Sequence, residues 1–375
     1  MATKIKPAWK KNPMPKAGQY VNSVGISGDG QIVIGGTYFY DYSKNANHTT
    51  TQPAFTVGVF VWNAKGKLQW KDKFSATEGV YWVAVSRDGA HAAAVGLQAH
   101  ANGFIYAYDA ANGAKQLSDT TSSRVNMAAL SGDGTYLVAG SNSLRLYQRN
   151  GPNWSAAQIL PNVPGDHIVA VGISDDGQWV CAGTYQGRVI LVQNNNGVLG
   201  VPIIWQQPGG EIYWLSMAAD GSTFAVGAKH ATVFCFDVAG FPGTQQPAWS
   251  QKLTGCTRCG AVGISGDGKL VSAVGNNGKA GKVFLFSNLG NAAQTLWNKA
   301  TTRNPNSTTL DNAGQFVTAA DGFPDGSQGD FYLYDIAGNL QWSYKTTNMS
   351  WPMQISANAT GLAAGSDDGH VYYFA

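Results

Sequence analysis

One pattern of apolar and polar positions recurs along the whole chain. A short apolar stretch ends in a turn of the form Ser-x-Asp-Gly, and three further apolar or aromatic stretches precede the next such turn. The pattern occurs as VNSVGISGDG (21–30), YWVAVSRDG (81–89), VNMAALSGDG (125–134), IVAVGISDDG (168–177), IYWLSMAADG (212–221), CGAVGISGDG (259–268), NSTTLDNAG (306–314) and WPMQISANATG (351–361). The terminal glycines of these phrases lie 43–47 residues apart, except for a first step of 59. Eight such units of four short strands predict the blades of a β-propeller.

Each unit has the same internal order. Its first strand is small and apolar and leads into a turn in which Asp caps the backbone and Gly adopts a positive φ. The second strand is rich in Ala and Gly, and the third alternates aromatic with polar residues, as in FIYAYD (104–109) and VFCFD (233–237). The fourth strand usually carries a tryptophan, and we interpret these residues as structural contacts that dock one blade onto its neighbour: Trp70, Trp154, Trp205, Trp249, Trp297 and Trp342.

The two ends of the sequence predict how the ring closes. The last unit stops at VYYFA, after its third strand, whereas Pro7, Ala8 and Trp9 repeat the fourth-strand phrase PAW of 247–249. The N-terminal segment near 7–11 should therefore supply the outer strand of the last blade and remove an exposed sheet edge. The sequence thus predicts an all-β chain, 1–375, that forms one closed propeller of eight four-stranded antiparallel blades.

Composition narrows the classes of function. Charged residues make up only 13% of the 375 residues, and the net charge of +3 is too small to indicate a nucleic-acid surface. No apolar run approaches the roughly 18 residues of a membrane span, and four cysteines do not form a disulfide scaffold. Without a signal peptide at Met1, we expect either a cytoplasmic protein or an exported one whose signal has been removed, and the second is preferred.

Two phrases resemble known repeat families. Tyr-Asp-Ile-Ala-Gly-Asn-Leu-Gln-Trp (334–342) resembles the tryptophan-docking repeat of the quinoprotein (PQQ-type) eight-bladed propellers, and its Asp, Gly and Trp recur at 109–113 and 237–249. The Ser-x-Asp-Gly turns also resemble WD40-type repeats. A quinoprotein would stack its cofactor between a tryptophan, here Trp82 or Trp214, and a vicinal Cys-Cys pair. Because this chain lacks that pair, we predict no cofactor.

Candidate site residues follow from the predicted topology. The Ser-x-Asp-Gly turns must share one face, so the loops that enter the innermost strands share the other and surround the mouth of the channel. We predict ligand-binding residues among these positions: Tyr81, Trp82, Arg124, His167, Tyr213, Trp214, Arg258 and Trp351. Loops between second and third strands add further polar residues to this face: His48, His100, Lys229, His230, Asp325, Asp367, Asp368 and His370. The insertion 38–56 is either a partial lid or a loose excursion.

Several features have two interpretations. The pairs Tyr81-Trp82 and Tyr213-Trp214 either plug the channel or form a platform on which a ligand stacks. Cys256 and Cys259 form a disulfide, remain inert thiols, or supply half of a metal or reactive site. The loop 321–330 carries acidic oxygens without the spacing of a calcium loop and is interpreted as a solvated turn. The histidines show no metal-binding spacing, so no metal is predicted.

These observations favour a non-catalytic propeller that binds a small molecule or a protein partner around the channel mouth. The alternative is an enzyme whose active site lies in the same funnel, such as a lyase, a hydrolase, an isomerase or a quinoprotein-like oxidoreductase. Whether the chain catalyses a reaction stays undecided, because no nucleophile, base and orienting group can be assembled from the sequence.

Overall fold

The chain forms eight blades in a computed structural model that describes residues 3–15, 18–39, 55–99, 102–323 and 327–375, and blades 1 and 2 are hydrogen-bonded into one sheet. Two short N-terminal strands, β1 (Thr3–Lys4) and β2 (Trp9–Lys11), precede the first blade. Blade 1 contains β3 (Gln19–Ile26), β4 (Ile32–Phe39), β5 (Phe55–Asn63) and β6 (Leu68–Ala76). Blade 2 contains β7 (Gly79–Val85), β8 (His91–Ala99), β9 (Asn102–Asp109) and β10 (Lys115–Thr121).

The next three blades contain the small irregular elements. Blade 3 contains β11 (Met127–Leu130), β12 (Tyr136–Gly140), β13 (Ser143–Asn150), β14 (Asn153–Trp154) and β15 (Gln158–Pro161). Blade 4 contains β16 (Ile168–Ile173), β17 (Trp179–Thr184), β18 (Arg188–Asn195), β19 (Val198–Leu199) and β20 (Ile203–Gln206). Blade 5 contains β21 (Ile212–Met217), β22 (Thr223–Ala228), β23 (Thr232–Asp237), the single-turn helix α1 (Phe241–Thr244) and β24 (Trp249–Lys252).

The last three blades return the chain to its start. Blade 6 contains β25 (Arg258–Ile264), β26 (Leu270–Asn276), β27 (Gly281–Asn288) and β28 (Ala293–Thr301). Blade 7 contains β29 (Pro305–Leu310), β30 (Phe316–Asp321), β31 (Asp330–Asp335) and β32 (Leu340–Lys345). Blade 8 contains β33 (Ser350–Ile355), β34 (Leu362–Ser366) and β35 (Val371–Phe374), with β2 as its fourth strand. The predicted eight-bladed all-β fold is confirmed.

The predicted closure is also confirmed. Strand β2 pairs antiparallel with β35, with Trp9 opposite Tyr373, and the two rings stack with centroids 5.4 Å apart. The indole N–H of Trp9 donates to the carbonyl of Ala64 in blade 1 at 2.9 Å. The N-terminal segment therefore contacts both blades at the seam. Strand β1, which the sequence did not predict, adds a parallel pairing to the outer edge of blade 7.

Tryptophans of the fourth strands dock six of the eight blades onto the next, as predicted. Trp70 of blade 1 donates its indole N–H to the carbonyl of Ala110 in blade 2 at 2.7 Å. A Cβ added at Gly113 would lie 2.7 Å from the Trp70 ring, so this position requires glycine. The same inter-blade donation is made by Trp9, Trp205, Trp249 and Trp297. The prediction is wrong for Trp154, which lies on the two-residue strand β14 rather than on the fourth strand β15, and its buried indole N–H has no hydrogen-bond partner in the described part of the chain.

The Ser-x-Asp-Gly turns also form a closed belt of backbone hydrogen bonds around one end of the channel. The N–H of Gly28 donates to the carbonyl of Arg87 in the next blade at 2.8 Å, and Asn358 of blade 8 returns to Gly28 at 3.2 Å. The intervening links have the same form: Asp88 to Gly132, Gly132 to Asp175, Asp175 to Ala219, Asp220 to Gly266, Gly266 to Asn312, and Asn312 to Ala357. The repeated turn therefore joins the blades to one another as well as reversing the chain.

One turn residue differs from the expectation. Glycines at the ends of the first seven turns adopt a positive φ, for example 75° at Gly30. In the last turn this conformation falls on Ala359, with φ 57°, and Gly361 lies two residues later. Ala359 therefore occupies the turn position that the sequence analysis gave to Gly361. The Asn358 side chain accepts a hydrogen bond from the Ser356 hydroxyl at 3.0 Å, as Asp does in five of the other turns.

No helix in the described ranges is both long enough and apolar enough to cross a membrane. The apolar core lies between neighbouring blades. At the seam, for example, Val24 and Trp62 of blade 1 pack with Val371 and Tyr373 of blade 8. This packing places the innermost strands around a central channel. The turn belt surrounds one end of the channel, and the candidate residues lie at the other end.

Candidate functional site

The innermost strands share a local distortion near the mouth of the channel. Most of them carry a β-bulge five residues before the first residue of the Ser-x-Asp-Gly turn, as between Val21 and Ser23 in β3. A bulge turns the extra side chain away from the regular alternation of the strand. The residues at this position are Asn22, Tyr81, Val169, Tyr213, Gly260 and Asn306. The repeat therefore places a ring of variable side chains at the mouth while the strands below stay regular.

A cavity of about 460 Å³ opens at this mouth, and we call it the mouth cavity. Its aromatic and apolar walls are Tyr38, Tyr81, Met349 and Trp351. Its polar groups are Asn22, Asn276, Asn304, Asn306 and Arg258, with Gly260 and Gly322 completing the lining. These residues come from blades 1, 2, 6, 7 and 8. Three of the predicted ligand-binding residues, Tyr81, Arg258 and Trp351, thus lie in one cavity.

Arg258 is held in place by an aromatic ring. Its guanidinium carbon lies 4.1 Å from the centroid of the Tyr213 ring. The Tyr213 hydroxyl donates to Glu211 at 2.5 Å, and Glu211 also accepts from Lys229 at 3.2 Å. The hydrogen bond from Tyr213, with the help of Lys229, lowers the pKa of Glu211, while burial and the same hydrogen bond raise the pKa of Tyr213 to about 12. Tyr213 therefore supports Arg258 from beneath.

A second arrangement of the same kind occurs three blades away. The Arg124 guanidinium carbon lies 4.7 Å from the centroid of the Tyr81 ring, and the Tyr81 hydroxyl donates to Glu78. Arg124 also donates to Asn126 at 2.7 Å and to the Tyr81 hydroxyl at 3.3 Å. Burial, the largest influence, raises the pKa of Tyr81. Arg124 is therefore engaged with its own surroundings, whereas Arg258 lines the cavity.

Trp82 and Trp214 lie below the mouth. Their rings meet edge to face, with centroids 5.3 Å apart and an interplanar angle of 70°. Both line the inner channel together with small and apolar residues of blades 3 to 5. Because they come from blades 2 and 5, this contact crosses the channel. The sequence leaves two interpretations of the Tyr-Trp pairs, a plug of the channel or a platform for a ligand. The contact between the two tryptophans favours the plug for them, whereas Tyr81 lines the mouth cavity.

His167 lies apart from the other predicted residues. Its side chain is exposed. Its backbone N–H donates to the Asp166 carboxylate at 2.9 Å, and its backbone carbonyl accepts from the Tyr185 N–H at 2.8 Å. It does not line the mouth cavity. His48, His100 and Asp325 lie outside the described residues, as does most of the insertion 38–56, of which residues 40–54 are not described. Both interpretations of the insertion, as a partial lid or as a loose excursion, therefore remain predictions.

The sequence analysis missed several residues of the cavity. Asn22, Asn276, Asn306, Tyr38 and Met349 line it, yet none was among the predicted ligand-binding residues. A signal existed for two of them, because Asn22 and Asn306 lie at the same distance before the turn as Tyr81 and Tyr213. Asn276 is opposite Arg258 in the strand pairing of blade 6, and this contact depends on strand register rather than on a motif.

The four cysteines are free thiols in the structure. Cys181 and Cys235 are buried, as expected. Cys256 is partly exposed and Cys259 is buried beside the blade 5–6 core, so the structure shows thiols rather than a disulfide. Burial raises the pKa of both, to about 12 for Cys259. Their high pKa values make both poor nucleophiles at neutral pH.

Residues 324–326 of the loop 321–330 lie outside the described ranges, but the two aspartates at its ends, Asp321 and Asp330, are buried rather than solvated. Asp321 is fully buried and accepts hydrogen bonds from the Tyr332 hydroxyl at 2.8 Å and the Asp330 N–H at 2.8 Å. Arg303 forms an ion pair with Asp330 at 3.0 Å. Protein donors thus occupy these carboxylates. Within the described ranges, no group of three or more His, Cys, Asp or Glu side chains could hold a metal ion.

The opposite end of the channel has its own feature. Arg87 of blade 2 forms an ion pair with Asp175 of blade 4, with Nε 2.5 Å and Nη2 2.9 Å from the carboxylate oxygens. Both line a cavity of about 230 Å³ inside the turn belt. The ion pair reaches past blade 3, so this end is less uniform than the repeated turns suggested.

Comparisons with known proteins identify the fold. No protein-family model matches the chain, and no curated protein matches it. Among solved structures, Chaetomium thermophilum Sqt1 bound to the N-terminus of ribosomal protein L10 is similar with a TM-score of 0.73 and 14% identity, over 95% of this chain and 96% of that chain. The β-propeller domain of Myceliophteria thermophila Cps50 (Swd1) is similar with a TM-score of 0.59 and 12% identity, over 78% and 94%. The chain therefore has the WD40-type propeller fold.

Proposed function

We propose that this chain is a non-catalytic binding propeller that receives a polypeptide segment of a partner protein in the mouth cavity. The observation that carries the proposal is the cavity itself, a space of about 460 Å³ that combines aromatic walls with amide groups and one arginine. Pockets of a few hundred Å³ with apolar walls and a few convergent polar groups are typical of binding sites. The fold does not determine the function, whereas the lining of this cavity indicates what can bind there.

The chemistry of the lining supports binding more than catalysis. General acid–base chemistry uses groups such as carboxylates, imidazoles and thiols. In the described part of the chain, the lining residues are aromatic, apolar, amide-bearing or glycine, with Arg258 as the single cation. Amides and arginine form hydrogen bonds without exchanging protons at neutral pH. The lining is therefore suited to holding a ligand.

An unsatisfied buried acceptor supports a polypeptide as the ligand. The Asn304 side-chain oxygen is buried and has no hydrogen-bond partner among the described residues. Leaving such an oxygen without a donor costs about 1–3 kcal/mol. If the Asn304 side chain turned toward the cavity, a backbone N–H from an incoming segment would supply the missing donor, and Asn22, Asn276 and Asn306 offer further amides to its peptide groups. Sqt1, which has the same fold, is bound to the N-terminus of ribosomal protein L10.

The proposal can be tested with an array of synthetic twelve-residue peptides of mixed sequence. The probes are the unmodified chain, Trp351→Ala, which removes a cavity wall, and His167→Ala, which changes an exposed residue outside the cavity. We expect the unmodified chain and His167→Ala to select the same peptides. Trp351→Ala should bind them more than tenfold more weakly, since a central aromatic anchor contributes about 2 kcal/mol or more.

Two outcomes of the peptide array would contradict the proposed function. If Trp351→Ala and the unmodified chain bind the same peptides equally well, the mouth cavity is not the binding site. If no peptide binds, whereas a small-molecule panel raises the melting temperature in a Trp351-dependent way, the ligand is a small molecule. Circular dichroism melts of both variants would establish that each one is folded.

A further inference from the structure

Four basic residues lie on the mouth face of blades 5 and 6, and we call them the basic rim: Lys252 at the end of β24, and Arg258, Lys279 and Lys282 in blade 6. Arg258 is opposite Asn276 at the start of the hairpin between β26 and β27, and Lys279 lies in the turn of that hairpin. Lys282 donates from Nζ to the carbonyl of Thr254 at 3.1 Å, in the loop that leads from Lys252 to Arg258. The basic rim is therefore continuous with one wall of the cavity.

The basic rim carries an excess of positive charge, because the Glu211 carboxylate, which acts on Arg258, is shared with Lys229. Nearby cations have carboxylate partners, since Lys229 pairs with Glu211 at 3.2 Å and Arg303 pairs with Asp330 at 3.0 Å. In the described ranges none of the four rim residues forms an ion pair. Lys252, Arg258 and Lys279 are exposed, and Lys282 is half-buried. A net positive field therefore extends from the cavity across blade 6.

Arg258 is better suited than a lysine to bind a carboxylate. The Tyr213 ring lies 4.1 Å beneath its guanidinium, and Glu211 fixes that ring through the tyrosine hydroxyl. A guanidinium stacked on an aromatic ring loses less conformational freedom when it binds a ligand. Its planar donors match a carboxylate in a two-point hydrogen bond, which is short and strong.

We infer that the segment received by the mouth cavity is acidic, with one carboxylate on Arg258 and further carboxylates along Lys279 and Lys282. This inference rests on the proposed function and specifies the partner. A C-terminal carboxylate would bring one negative charge, whereas the rim offers four positive charges, so acidic side chains in an extended segment fit better. The Asn groups and Trp351 would then contact the backbone and an apolar side chain between the acidic residues.

A nucleic acid fits this surface less well. Binding of a phosphate backbone needs a continuous track of cations. Here the basic rim is confined to blades 5 and 6, and the buried carboxylates of Glu78, Asp367 and Asp368 lie on the same face of the propeller around blades 1 and 8. A strand that crossed the mouth would run from the basic rim onto these acidic residues. A short acidic peptide could remain on the basic side.

The experiment measures fluorescence anisotropy of labelled twelve-residue peptides. The first peptide carries four glutamates around a central phenylalanine and an amidated C-terminus. Three comparison peptides have the same length. One replaces the glutamates with glutamines, one replaces them with lysines, and the third is the glutamine peptide with a free C-terminus. A labelled oligouridylate of twelve nucleotides is the nucleic-acid probe. The variants are Arg258→Ala, Arg258→Lys and Trp351→Ala. Lys65→Ala is the control, because it removes one positive charge from an exposed turn on the opposite face.

We expect the glutamate peptide to bind at least tenfold more tightly than the glutamine peptide, and the lysine peptide to bind still more weakly. Arg258→Ala should lose at least tenfold in affinity and Arg258→Lys should recover only part of it, while Lys65→Ala stays within twofold. Raising NaCl from 50 to 300 mM should weaken the glutamate peptide several-fold, because salt screens the rim.

The outcomes separate this inference from the proposed function. If glutamine or lysine peptides bind as tightly as the glutamate peptide and Trp351→Ala abolishes all of them, the cavity binds peptides but the acidic partner is wrong. If the glutamine peptide binds tightly only when its C-terminus is free, the carboxylate that Arg258 binds is the terminal one and not an acidic side chain. Tighter binding of the oligouridylate, or an unaffected Arg258→Ala, would overturn the inference. If no peptide binds in a Trp351-dependent way, the proposed function fails.

Discussion

Trp82 of blade 2 and Trp214 of blade 5 contact each other edge to face across the channel, with ring centroids 5.3 Å apart. Each also packs against the apolar residues between its neighbouring blades. The pair therefore links two blades that no backbone hydrogen bond joins. Both rings line the inner channel and not the mouth cavity, where we propose that the ligand binds.

This contact predicts coupled losses of stability. Trp82→Ala and Trp214→Ala should each lower the free energy of unfolding by about 2 kcal/mol, less than the 3–5 kcal/mol of a fully buried tryptophan, because both are half-buried. The double variant should lose about 1 kcal/mol less than the sum, which is the energy of the aromatic contact. Urea denaturation measures all four proteins. Strictly additive losses would show that the rings do not interact.

The closing strand predicts the effect of an N-terminal deletion. Removing residues 1–11 takes away β2 and the contacts of Trp9 with Tyr373 and Ala64, and leaves β35 with a bare edge. The melting temperature should fall by at least about 5 °C, and the chain should aggregate more readily. Removing residues 1–6 retains β2 and should have a smaller effect. Equal melting temperatures for the full chain and the longer deletion would contradict the observed closure.

The turn belt predicts that adding one methyl group at Gly28 lowers the free energy of unfolding more than removing the ion pair of Arg87 does. A Cβ added at Gly28 would lie 2.8 Å from the Arg87 carbonyl oxygen, the acceptor of the Gly28 N–H. Gly28→Ala should therefore destabilise the protein by about 1–3 kcal/mol. Arg87→Ala should cost under about 1 kcal/mol, because its pair with Asp175 is one-third exposed. Chemical denaturation compares the two, and the reverse order would argue against the belt.

The cysteines predict slow thiol chemistry. In the folded chain, Ellman's reagent should react slowly with Cys256 at pH 7 and more slowly still with Cys259, because burial raises both pKa values. The rate should rise steadily as the pH is raised to 9.5, since the thiolate fraction is still increasing there. Unfolding in guanidinium should release four reactive thiols. A count of two would instead indicate a disulfide between Cys256 and Cys259.

Much of the fold could be predicted from the sequence because each blade repeats the same local rules. The Ser-x-Asp-Gly turns and the tryptophans of the fourth strands are readable one blade at a time. The truncated last unit then implied that Trp9 completes it. The exception at Ala359 arose because the turn conformation follows the hydrogen bonds of Ser356 and Asn358 rather than the position of the nearest glycine.

The site was less predictable because it depends on contacts between distant blades. Tyr81, Arg258 and Trp351 enter innermost strands, so the topology alone placed them near the mouth. The meeting of Trp82 with Trp214 depends on the diameter of the channel and on side-chain rotamers, which no local pattern specifies. His167 enters an innermost strand in the same way, yet the Asp166 loop holds it outside the cavity.

The most direct test of the account is hydrogen–deuterium exchange of the unmodified chain with and without the glutamate peptide at saturation. We predict slower exchange in the segments that line the mouth cavity, 20–23, 258–261, 304–307 and 349–352, with no change in the turn belt at 27–30 and 131–134. In Arg258→Ala, the same peptide concentration should produce little of this protection. Protection confined to the turn belt or to the outer strands, with the mouth segments unchanged, would contradict the proposal that partners bind at the mouth.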